Sequence, residues 1–136
     1  VDDWLHLARN RRAAAEALMS AKLPWSAWEQ SGFAAEALLK AALMTAHQRP
    51  TWWTRKEWPD VWTHDLRALA QLIGVDITLP PTDPHAPAWK VVFDWRREHG
   101  YNTSPMPAVV AADMDEAIWG PNGAAEWITR TFRLAI

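Results

Sequence analysis

The chain has 136 residues, of which 49% are hydrophobic and 22% charged, with a net charge of −2 and no cysteine. That size and balance suit one soluble domain spanning 1–136 and able to bury a core, and they exclude disulfides, thiolate metal sites and thiol nucleophiles. A slightly negative chain does not coat nucleic acid by bulk electrostatics, so any such site must be local.

No apolar run approaches the roughly 18 residues of a membrane span. Asp2, Asp3 and Arg9 interrupt the apolar positions at the N-terminus, unlike a signal peptide. No membrane association and a cytoplasmic setting are therefore expected. The 11 tryptophans are the compositional oddity, because rings of that size either thicken a small core or populate an interface.

Residues 2 to 22 carry Trp4, Leu7, Ala8, Ala15, Leu18 and Met19 at helical spacing, with Asp2 or Asp3 available as N-cap and Pro24 beyond the end. Arg9, Arg11 and Arg12 read as its solvated face, with phosphate binding as the functional alternative. A longer helix follows from Trp25 to His47. Ser26 and Glu29 have the form of a capping box, and Trp28, Ala35, Leu38, Leu39, Ala42 and Leu43 mark its inner face. Glu36 and Lys40 make a favourable i,i+4 pair on what reads as another, watered face. The many alanines permit close approach on more than one side, which makes this helix a central strut.

From Gln48 to Thr63 two prolines and four tryptophans, at 52, 53, 58 and 62, alternate with Arg49, Arg55 and Lys56 in a loop with at most a turn of helix. Rings interleaved with cations suit single-stranded nucleic acid; the plainer readings are packing onto the core or a dimer contact. A short third helix is expected over THDLRALAQLIGV, with Thr63 as N-cap, Leu66, Leu69, Leu72 and Ile73 inward, and Gly74 as its left-handed stop. A proline-rich connector runs to Pro87. A fourth helix is expected from Pro87 to Gly100, placing Arg96 and His99 at the edge of its apolar face. Beyond Pro107 come a helix through Trp119, a break at GPNG, and a last helix with Trp127, Ile128, Thr131, Phe132 and Leu134 inward. No segment alternates with a strand's period of two, so the class is all-α.

Phosphate-loop, dinucleotide-binding, HExxH and EF-hand patterns are absent, and the five histidines have no metal-ligand spacing; neither a metal nor a cofactor is expected. Two local sets remain. His64 and Asp65 open the third helix, where the structural reading is a cap with its dipole partner. Arg96, His99 and Tyr101 converge near the end of the fourth, where Arg can hold a phosphate and His can move a proton. The structural reading there is an Arg paired to a carbonyl or carboxylate and a His capping the helix.

The order of DWLHLARNRRAAAEALM, SGFAAEALLKAAL, HDLRALA, WRREHGY and EWITRTF resembles the HEPN domains, small all-helical proteins. The resemblance spans most of the chain and implies a four- to five-helix up-and-down bundle. It implies a homodimer that binds a nucleotide, single-stranded RNA or a nucleotidyltransferase partner, with ligand contacts at His64, Asp65, Arg96, Arg97 and His99. Many members are metal-independent endoribonuclease toxins or defence and RNA-processing nucleases, whose signature is an Arg followed after roughly four to six residues by a His, often with a nearby Tyr. His99 and Tyr101 match the end of that signature, but Val92, Phe93 and Asp94 stand where its Arg belongs, leaving Arg96 for the catalytic set Arg96, His99 and Tyr101. The HDL run resembles the binding-type members, so binding without strong catalysis is the leading expectation. The nuclease and a plain protein-interaction module are the alternatives.

Overall fold

The computed structural model describes residues 1–75, 80–96 and 104–136. They form an all-helical bundle with no strand among the described residues: α1 (Asp2–Ser20), α2 (Pro24–Ala46), a 3-10 turn (Pro59–Val61), α3 (Leu66–Leu72), α4 (Ala86–Phe93), α5 (Ala108–Trp119) and α6 (Ala124–Phe132). None of the described helices is long and apolar enough to cross a membrane.

The strut is α2, which packs against α1, α3, α5 and α6. Leu38, Leu39 and Leu43 are sealed among Ala34, Ala35, Ala37, Ala41 and Ala42, whose short side chains let neighbouring helices approach closely. Each sealed leucine contributes about 1.5–3 kcal/mol of apolar burial. The entry differs from the expected capping box. The helix begins at Pro24, with Leu23 at the cap position and no side-chain cap, because proline's fixed φ and missing N–H suit the first turn without help from Ser26 or Glu29. Likewise Val1, not Asp2 or Asp3, precedes α1, and both aspartates lie in its first turn, where they complement the helix dipole.

Three helices stop in the same way. After α1, Leu23 N donates to Leu18 O and Lys22 N to Met19 O; after α2, Arg49 N donates to Met44 O and Gln48 N to Thr45 O; after α3, Val75 N donates to Ala70 O and Gly74 N to Gln71 O. These paired bonds satisfy the last carbonyls and require a left-handed residue between them. Gly74 supplies it at no steric cost (φ 91°), as expected, whereas Lys22 (φ 61°) and Gln48 (φ 52°) adopt it with a Cβ present.

The tryptophan-rich loop folds back onto α1 and α2. Thr54 and Glu57 form a reciprocal capping box, Thr54 N donating to Glu57 Oε1 at 2.9 Å and Glu57 N to Thr54 Oγ1 at 3.1 Å. Arg49 reaches the same carboxylate at 3.2 Å. These bonds, with the Arg49 charge, hold the Glu57 carboxyl below its ordinary range, the backbone bond from Thr54 contributing most. Trp53 meets Trp58 edge-on at 4.9 Å and Trp52 at 5.3 Å, while Trp52 meets Trp4 of α1 at 5.2 Å. Trp53 is buried, and Trp62 is the loop's exposed ring. The plainer reading of this loop, packing onto the core, is therefore what its inner rings do.

Helix α4 ends seven residues short of the expected boundary, at Phe93. Trp95 has left the helix and is sealed in the core. Its indole N–H donates to Trp28 O at 3.1 Å, and it packs on Phe33 at 5.5 Å. A tryptophan buried with its N–H satisfied contributes a large apolar burial, which offsets the helical bonds given up after Phe93. Gly32 allows the approach, since a Cβ there would fall inside the Trp95 indole. In α6, Ile128 is buried and Trp127 and Phe132 pack against the core as expected; Thr131 is exposed, and Leu134 packs from beyond the helix end.

Candidate functional site

Glu36 and Lys40 pair at 3.0 Å, but not in water: their side chains are only 10% and 9% exposed. The expectation of a solvated face fails because α2 is apolar all round here, and a helix of that kind is enclosed on every side. The Lys40 ammonium lies 5.1 Å from the Trp4 ring and 5.5 Å from Trp52, so the charge is held by one carboxylate and two indole faces.

The other oxygen of the same carboxylate lies 2.7 Å from His64 Nδ1. A carboxylate only accepts, so Nδ1 carries the hydrogen and Nε2 is left to face a ligand. The His64 side chain is 47% exposed, so a fixed imidazole stands open to solvent on a buried brace. It shares a recess of about 230 Å3 with Trp4, Leu7, Arg11, Phe33 and Glu36. Arg11 is directed by Gln30, whose Oε1 accepts from Nη1 at 2.9 Å, and by the Phe33 ring at 5.4 Å. A second recess of about 390 Å3 continues on the far side of Trp4 and Leu7, toward Trp52.

Asp65 and not Thr63 caps α3. Its Oδ1 accepts from Arg67 N at 3.0 Å and Ala68 N at 3.3 Å, while Thr63 Oγ1 accepts from Asp65 N. A carboxylate outcompetes a hydroxyl at this position because the helix N-terminus is partly positive. The same Oδ1 lies 3.6 Å from Arg96 Nη1, with both side chains about two-fifths exposed. The two sets singled out in the sequence thus meet: His64 and Asp65 on one side, Arg96 on the other. Arg96 is carried there by its neighbour Trp95 and not by a helix face. Arg97, His99 and Tyr101 lie outside the described residues.

Sequence reading missed Glu36 as a site residue, and it raised Arg11 for phosphate binding only together with Arg9 and Arg12. The signal for Glu36 was present in AAEALLKAAL, where a single Glu–Lys pair is flanked on every side by Ala and Leu. Arg11 carried no distinguishing sign among three arginines. Among the described residues no group of His, Asp and Glu could hold a metal ion. No known family, curated protein or solved structure matches the chain, so what the site does rests on its own chemistry.

Proposed function

We propose that this chain is a HEPN-like helical module that binds a nucleotide or single-stranded RNA through phosphate, without strong catalysis, at the surface where His64, Asp65 and Arg96 meet. The observation that carries the reading is that Glu36 orients His64 and Asp65 pairs with Arg96 beside it, so a guanidinium donor and an imidazole that donates through Nε2 as its imidazolium are placed before a ligand arrives. Arg11 adds a third donor from within the recess, and Trp4 and Phe33 offer ring faces for a base. A recess of about 230 Å3 houses a base or a phosphate and not a whole nucleotide; the rest would extend across Trp4 toward the second recess.

A calorimetric titration with ATP, GTP and a short single-stranded RNA tests this. Saturable heat with the wild type, lost in His64→Ala, is expected; flat traces with all three ligands would sink the reading.

The endoribonuclease remains the second reading, favoured by the Glu36–His64 pair, which is the arrangement a general base needs. It predicts cleavage of single-stranded RNA without added metal, abolished by His64→Ala or His99→Ala. Intact RNA after prolonged incubation with wild type would dispose of it. Pairing with a second copy or with a nucleotidyltransferase is part of the first reading, and light scattering of the protein alone and of the mixture measures it.

A further inference from the structure

Away from that surface, α1, α2 and α5 enclose a recess of about 360 Å3 lined by Ala15, Glu16, Met19, Ser31, Asp115 and Glu116. Two oxygens belonging to its lining are buried without a hydrogen-bond partner: Ser31 Oγ, on a residue 1% exposed, and Asp115 Oδ1. Buried polar atoms are nearly always paired, so two orphans at one recess need an explanation. Ser31 is also the single hydroxyl on the inward side of α2, where alanine would pack as well and cost nothing in lost hydrogen bonds.

The charges around it are one-sided. Arg12 is engaged by Glu16 at 3.3 Å and lies over the Trp119 ring at 4.4 Å. Asp115 and Glu116 have no ion-pair partner among the described residues. Burial, and then Glu16, push the Asp115 carboxyl above its ordinary range, with Glu116 adding to them and Arg12 opposing. An acceptor-only oxygen and a hydroxyl, set in a negative and partly apolar recess, ask for a cation that brings several donors and a short hydrocarbon tail. Among common cations an alkylammonium fits, with three N–H donors on one nitrogen.

We infer that this recess binds a linear primary amine, its ammonium donating to Asp115 Oδ1 and Ser31 Oγ and its methylenes lying on Ala15 and Met19. A diamine gains further, because Glu16 and Glu116 at the rim meet its second ammonium. The site is separate from the His64 surface and does not depend on what that surface binds.

Thermal unfolding of the protein in putrescine, butylamine and butan-1-ol tests it. Both amines should raise Tm saturably, putrescine at lower concentration, and butan-1-ol should do nothing. Asp115→Asn should weaken amine binding roughly tenfold or more, as loss of a charge-assisted bond does. Ser31→Ala removes an unpaired buried hydroxyl, so without amine it should fold at least as well as wild type while losing the amine response. Equal Tm shifts from butan-1-ol and butylamine, or an amine response unchanged in a folded Ser31→Ala and Asp115→Asn, would overturn the proposal, as would no response to either amine.

Discussion

Glu36 on α2 and His64 ahead of α3 are joined by a 2.7 Å contact between a buried carboxylate and a half-exposed imidazole. The same carboxylate neutralises Lys40, so one side chain both balances a buried cation and aims a surface ring. Removing it leaves an ammonium sealed between two indoles without its counter-charge. Glu36→Ala should therefore destabilise the protein by about 3–5 kcal/mol, the usual consequence of breaking one side of a buried pair. Glu36→Gln keeps one acceptor oxygen, enough for Lys40 or for His64 but not for both, and should lose less than Glu36→Ala. Urea unfolding of the two variants measures the difference.

Gly32 and Trp95 set the position of Arg96. A methyl group at 32 displaces the indole, breaks its bond to Trp28 O, and moves the residue that follows it. Gly32→Ala should cost about 1–3 kcal/mol through overpacking, despite alanine's better helix propensity, and should weaken the Asp65–Arg96 contact. The near-ultraviolet circular dichroism of the Trp28–Trp95 pair, whose rings lie 5.7 Å apart, should change together with the unfolding midpoint.

Lys22 and Gln48 occupy left-handed positions that glycine takes without strain. Lys22→Gly and Gln48→Gly should each stabilise by up to about 1 kcal/mol, the release of left-handed strain being partly offset by the greater freedom of glycine in the unfolded chain. The same substitution at Lys56, an exposed turn residue outside these stops, should bring no such gain. Differential scanning calorimetry distinguishes the three.

Asp115 gives the protein a pH signature. Its carboxyl titrates higher in the folded than in the unfolded chain, so the folded state binds the proton more tightly, and stability rises as pH falls through that range. At neutral pH Asp115→Asn should be more stable than wild type. The gap should close on acidification, as wild type takes up the proton and below the unfolded carboxyl's range gains nothing more. Urea midpoints of the two proteins across that interval give the comparison.

The helical class was legible because apolar spacing repeats through every segment, and the stop at Gly74 because only glycine takes that backbone freely. Sequence spacing could not show where helices begin when several residues compete: Asp65 displaced Thr63, and Pro24 made Ser26 and Glu29 superfluous as caps. It also placed Arg96 on a helix that ends at Phe93, because burying Trp95 decides that boundary and is a tertiary effect. The halves of the candidate site, His64 with Asp65 and Arg96, stood out as chemistry in the sequence. Their meeting, and the Glu36 brace beneath them, depend on contacts between residues 28 and 31 positions apart, which no local pattern reports.

The central claim is that a phosphate-bearing ligand is held where His64, Asp65 and Arg96 meet. Tryptophan fluorescence during titration with a short single-stranded RNA, in wild type, Arg96→Ala and Arg9→Ala, tests it most directly, since Trp4 lines the recess and Trp95 adjoins Arg96. Loss of one guanidinium–phosphate contact should weaken binding roughly tenfold to a hundredfold in Arg96→Ala, and Arg9→Ala, on the exposed side of α1, should bind as wild type. Equal weakening in both variants, or no change in Arg96→Ala, would contradict the account.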